Sequence, residues 1–165
     1  MKIGVAFLSI SLMLVIFSLQ SCQSDRVYSN SIDIQDEKWA YNQVLEFEWN
    51  IEDTASLYRL LLVVDHDLSI PFQNIYVRCK TVYPDQTLIS ASDVSLELLQ
   101  ENGKPYGECS TGANCKLELL LQDKARFPQL GKYKLSIQQN SRVDPYIGLK
   151  KIGLQVFKLG QKDQK

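Results

Sequence analysis

The chain has 165 residues, 18 basic and 19 acidic side chains and a single histidine, giving a formal charge of −1. Near-neutral charge without a basic stripe excludes an electrostatic nucleic-acid binder. The length suits one core rather than several domains.

In chain order, Lys2 leads an uncharged apolar stretch from Ile3 to Leu19, and Leu19-Gln20-Ser21-Cys22 ends it. One positive charge, a short greasy segment and small residues before a cysteine form a secretory leader, too short and wrongly flanked for a stable membrane span. The pattern is that of a bacterial lipoprotein signal spanning residues 1–21, with cleavage between Ser21 and Cys22. The resemblance to lipoprotein signals implies that Cys22 then carries diacylglycerol on sulfur and a further acyl chain on its amine. Each buried methylene contributes about 0.8 kcal/mol, so multiple chains anchor a protein stably. Residues 22–27 form a short tether, 28–158 the folded domain and 159–165 a polar tail.

From Tyr28 to Ile34 apolar and polar residues already alternate. Trp39 and Tyr41, in Glu37-Lys38-Trp39-Ala40-Tyr41, lie in a turn-like segment where Trp39 either offers an exposed platform or plugs one end of the fold. Beyond it the period is two almost everywhere. Leu45, Phe47 and Trp49 oppose Glu46 and Glu48; Val94, Leu96 and Leu98 oppose Ser95 and Glu97. Leu117, Leu119 and Leu121 oppose Lys116 and Glu118; Tyr133, Leu135 and Ile137 oppose Lys132, Lys134 and Ser136. Each reads as an antiparallel strand with one wet face. Leu60-Leu61-Leu62-Val63-Val64 is apolar on both faces and is placed centrally in a sheet. His66, in Asp65-His66-Asp67-Leu68, reads as a solvated loop histidine. Ile75, Val77 and Cys79 face inward, which sets Tyr76, Arg78 and Lys80 outward as a stripe for a partner or glycan.

Turn signals recur at Glu52-Asp53, Ser69-Ile70-Pro71, Tyr83-Pro84-Asp85, Glu101-Asn102-Gly103, Thr111-Gly112, Pro128 to Gly131 and Asp144-Pro145. The expectation is an all-β, single antiparallel β-sandwich, jelly-roll or immunoglobulin-like, of roughly eight strands. With Cys22 lipidated, three cysteines remain. Spacing favours a Cys109–Cys115 disulfide across a turn-rich loop and leaves Cys79 as a small buried apolar group, the rival being a Cys79 bridge to either.

Chemistry is sparse. The cysteines lack paired metal-ligand spacing and the one histidine stands apart from them, so no metal or cofactor is expected. Hydrolase-elbow and phosphate-loop patterns are absent. Glu46, Glu48, Glu97 and Glu118 are the carboxylates a glycosidase would draw on, but all lie on polar strand faces. No enzymatic activity and no catalytic residue are expected, and a glycan-binding envelope lipoprotein is the alternative to a protein-binding one.

The segments Cys22 with Tyr28, Trp39, Phe47 with Ile51-Glu52-Asp53-Thr54 and Tyr58, and Pro71-Phe72-Gln73-Asn74-Ile75-Tyr76 stand in a characteristic order. Gly103, Gly107, Phe127, Gly131-Lys132-Tyr133, Gln139-Asn140-Ser141-Arg142 and Ile152-Gly153 continue it. Together they make the chain resemble the GldH gliding motility lipoproteins of the Bacteroidota, from Cys22 to about Phe157. Asp65 departs from the basic residue usual there, and Tyr106 from a tryptophan. The resemblance implies a non-enzymatic outer-membrane lipoprotein of the gliding and associated secretion machinery, also present in relatives that do not glide. Gln23 lacks the aspartate of inner-membrane retention, and Ser24-Asp25-Arg26 lacks an acidic export run, so the expected domain is periplasm-facing.

Overall fold

A computed structural model describes residues 25–110 and 114–160. Arg26–Asp33 (β1), Lys38–Trp39 (β2), Val44–Ile51 (β3), Tyr58–His66 (β4), Asn74–Val82 (β5) and Leu88–Glu97 (β6) are followed by Glu108–Cys109 (β7), Cys115–Ala125 (β8), Gly131–Gln139 (β9), Tyr146–Ile147 (β10) and Leu149–Lys158 (β11). One sheet has the order β1-β11-β4-β8-β7 and the other β3-β9-β5-β6, with a small β10-β2 ribbon. All pairings are antiparallel.

The connections settle which sandwich this is. Among the eight long strands only β5 to β6 stays within a sheet; every other step crosses to the opposite one. That alternation is a jelly roll rather than an immunoglobulin arrangement. Among the described residues eleven strands replace the roughly eight expected, because β2, β7 and β10, two residues each, are too short to show a period. β1 starts at Arg26, within the segment expected to be tether, since its backbone pairs with Phe157.

The two-residue period decides which side chains meet. Leu45, Phe47, Trp49 and Ile51 of β3 are buried while Glu46 and Glu48 are exposed. The same alternation buries Tyr133, Leu135 and Ile137 of β9 and Ile75, Val77 and Cys79 of β5. β4 is third of five strands in its sheet, in keeping with its apolar run. Trp49, Tyr58, Phe127 and Tyr133 form an aromatic cluster, with Phe127 at 4.7 Å from Tyr133 and 5.4 Å from Tyr58 between ring centroids. Such pairs add roughly 0.5–1.5 kcal/mol beyond burial.

Register fixes two ends of the barrel-like sandwich. Arg26, Phe157, Arg59, Tyr58 and Ala125 lie at one end; Asp33, Lys151, Asp65, Lys116 and Glu108 lie at the other. The N-terminal segment therefore enters at the Arg26 end.

Candidate functional site

The Asp33 end is closed by buried side chains from the β1–β3 and β9–β11 connections. Trp39 of β2 pairs with Tyr146 of β10, and both are 0% exposed. The Trp39 Nε1–H donates to the Gln43 carbonyl at 2.8 Å. The Tyr146 hydroxyl donates to the Phe72 and Asn74 carbonyls at 3.2 and 3.3 Å, and burial pushes its pKa up to about 12. Trp39 is thus a plug of the core and not part of a partner surface; β10 covers it, a contact made across more than 100 residues of chain.

Beside this plug lies an exposed aromatic corner. The Tyr41 hydroxyl donates to the Ser141 carbonyl at 2.6 Å, and its amide donates to Asp144 at 2.9 Å. The Tyr76 amide donates to Ser141 Oγ at 3.1 Å, while the Asn140 amide donates to the Tyr76 carbonyl at 2.8 Å. These bonds hold Tyr76, 43% exposed, beside Phe72 and Arg142 around a pocket of about 110 Å³ that Asn74 and Ser141 complete. The segments Pro71–Tyr76 and Gln139–Arg142, 63 residues apart at their nearest, meet here because β5 pairs with β9. Arg78 lies in the same stripe but is held by Asp93 through Nε and Nη2 at 2.8 and 3.0 Å, which raises the arginine pKa and lowers the aspartate's. Lys80 completes the outward row without an ion pair among the described residues. Tyr106, Leu68 and Ile147 are further exposed apolar side chains of the same end.

On the other sheet's outer face, pairing sets Asp33, Lys151, Asp65, Lys116 and Glu108 side by side across all five strands. Lys151 reaches Asp33 at 3.2 Å. They border a cleft of about 620 Å³ together with the Cys109–Cys115 disulfide. His66 corrects the expectation of a solvated loop residue. β4 runs through it, so alternation turns it inward with Leu62 and Val64 and leaves it 0% exposed. Its Nδ1–H donates to the Asp67 carbonyl at 2.7 Å, while Nε2 has no partner among the described residues. The residues flanking His66 are charged, which concealed the strand's end.

The carboxylates considered for glycosidase chemistry are exposed and scattered. Glu46 and Glu48 bond Lys134 at 3.2 and 3.4 Å on one sheet, with the Lys134 bond the main cause that lowers the Glu48 pKa. Glu97 accepts from Ser95 at 2.8 Å, and Glu118 lies on the other sheet. Among the described residues no three His, Cys, Asp or Glu side chains group to hold a metal ion. No described helix is long and apolar enough to cross a membrane. Cys79 is a free, buried thiol.

The eight long strands form a jelly-roll sandwich whose described chain begins at the Arg26 end. The GldH lipoprotein family profile matches residues 26–156, from the first residue of β1 nearly to the end of β11, and the chain belongs to that family. A relative named as a gliding motility lipoprotein GldH homolog, from Christiangramia forsetii, is 26% identical over 129 residues, 78% of this chain and 76% of the relative. Among solved structures, the VP2 subviral particle of infectious bursal disease virus is 15% identical, with a TM-score of 0.41 over 85% of this chain and 34% of that one. Tomato aspermy virus gives a TM-score of 0.36 at 14% identity, over 95% and 97% of the two chains. The present chain corresponds to about a third of the bursal virus chain. Family membership makes the protein a membrane-anchored envelope lipoprotein. Ser21 and Cys22, the cleavage and lipidation positions, lie outside the described residues.

Proposed function

We propose that this protein is an accessory of the gliding motility or associated secretion machinery, held by lipid on Cys22 to the periplasmic face of the outer membrane and acting through protein contacts, without catalysis. The family match over residues 26–156 carries this reading. The exposed corner of Tyr41, Phe72, Tyr76 and Arg142, at the end opposite the tether, supports protein contact there, since aromatic and arginine side chains dominate binding hot spots. Burial of Trp39 weighs against the glycan-binding alternative by removing its largest platform.

Affinity capture of the lipidated protein from detergent-solubilised envelope tests the reading. Gliding or secretion components are expected with the parent and at least tenfold less of them with Tyr76→Ala. Glycan-array binding lost on the same substitution, with no such components captured, reverses the order. Protease treatment of intact cells is expected to spare the domain; its digestion without lysis places it on the surface instead.

A further inference from the structure

The Arg26 end carries a rigid apolar tip. The loop from β8 to β9 runs Arg126-Phe127-Pro128-Gln129-Leu130, and its alternate residues divide sharply. Phe127 is buried in the aromatic cluster. The Gln129 amide donates to the Tyr133 hydroxyl at 3.1 Å, and that hydroxyl donates to the Gln129 carbonyl at 3.0 Å. The Gln129 side-chain amide donates to Asp85 at 3.1 Å. A loop pinned at these points holds Leu130 outward at 62% exposure, the highest of any large apolar side chain among the described residues. Leu159 and Val27, also exposed, lie at the same end. Leu159 is placed there by its amide N–H, which donates to the Leu57 carbonyl at 2.8 Å, and Val27 by the irregularity in β1 between Arg26 and Tyr28. Arg126, in the same loop, makes no ion pair among the described residues, and its stem suits the boundary between apolar and aqueous phases.

The length of chain outside the described residues identifies what faces this tip. Three residue steps separate Cys22 from Asp25, a reach of at most about 11 Å. Asp25 is itself fixed, its carbonyl accepting the Lys158 amide at 2.7 Å. Resting on the reading that Cys22 is lipidated, we infer that the Arg26 end docks on the bilayer, with Leu130 seated in the lipid interface and Leu159 and Val27 beside it. The sandwich stands end-on, and Tyr41, Phe72 and Tyr76 point away from the membrane that anchors it. The partner of this surface is a lipid headgroup and acyl boundary, not a protein. The charges near the tip that make no ion pair among the described residues balance, Arg26, Lys124 and Arg126 against Asp25, Glu52 and Asp85, so the contact depends little on anionic lipid.

Depth-dependent quenching tests this. The lipidated protein is reconstituted in phosphatidylcholine vesicles with bimane on Leu130→Cys, Leu159→Cys or, as control, Ile147→Cys; the parent, whose Cys79 is buried, reports background labelling. Nitroxide on the upper acyl chain is expected to quench the labels at 130 and 159 at least twofold and the label at 147 by less than a tenth. Adding Leu130→Asp is expected to halve quenching at 159 while the protein still floats with the vesicles. If the protein floats but the labels at 130 and 147 are quenched alike, end-on docking is overturned and the anchor stands. If the parent does not float, the lipidation reading falls, and the docking with it.

Discussion

Cys79 faces inward from β5, and burial, with the Asp93 charge a smaller cause, pushes its pKa up to about 11 from the 9.0 of an ordinary thiol. A thiol whose folded pKa is raised contributes stability in full below pH 9.0, and that contribution is lost as pH climbs to about 11. The native protein is therefore expected to resist maleimide at pH 8 and to react fully in guanidinium; rapid native labelling counts against the burial. Asp53 behaves oppositely. Its carboxylate accepts from Lys158 and Ser56 at 2.8 and 2.7 Å and from the Ala55 amide at 2.8 Å, which holds its pKa well below the usual range. A lowered pKa contributes stability at neutral pH that is lost on acidification through the folded value. Asp53→Asn is expected to lower the melting temperature at pH 7, and the gap from the parent to narrow below pH 3.8; an unchanging gap removes the carboxylate's role. Trp39 and Tyr76 separate core from surface. Trp39→Ala is expected to cost about 3–5 kcal/mol by denaturant unfolding. Tyr76→Ala should change stability by less than about 0.5 kcal/mol while reducing partner capture.

Among the elements, the β7–β8 hairpin depends on a staple. β7 pairs only at Glu108 and Cys109, and the disulfide ties Cys109 to Cys115 at a Cα separation of 4.0 Å. Closing so small a loop stabilises by about 2.4 kcal/mol in the chain-entropy model. Replacing both cysteines with alanine is expected to lower unfolding free energy by about 2 kcal/mol and to speed exchange of the Ser110 amide, which donates to the Asn114 carbonyl at 2.9 Å; unchanged exchange shows that β7 holds without the bond. Gly107 adds a packing requirement, since a Cβ there would lie 2.1 Å from the Lys116 carbonyl oxygen. The four alternating runs were legible because half-buried antiparallel strands impose a period of two on composition. β2 and β10 were not, because a two-residue strand has no period and exists only through its partner. His66 was misread for a related reason: strand length is set by pairing with Leu149 and Cys115, not by local polarity.

For the whole molecule, the proposed lipid anchor on Cys22 lies three residues before Asp25, the first described residue, and on that reading anchoring sets orientation. Cys22→Ala is expected to leave the protein unprocessed or released from membranes, tested by fractionation; normal membrane retention of that variant refutes the lipobox. The corner of Tyr41, Tyr76 and Ser141 was only partly legible. Alternation turned Tyr76 outward, but its meeting with Ser141 follows from the β5–β9 pairing. By itself the sequence determined the class of fold, the inward faces of the alternating strands and the family, since each is written in local period or in the order of residues. The tertiary structure alone decided the jelly-roll path, the burial of Trp39 and His66 and the two opposed ends. Those depend on contacts between residues distant in the chain, whose free energy no local pattern records.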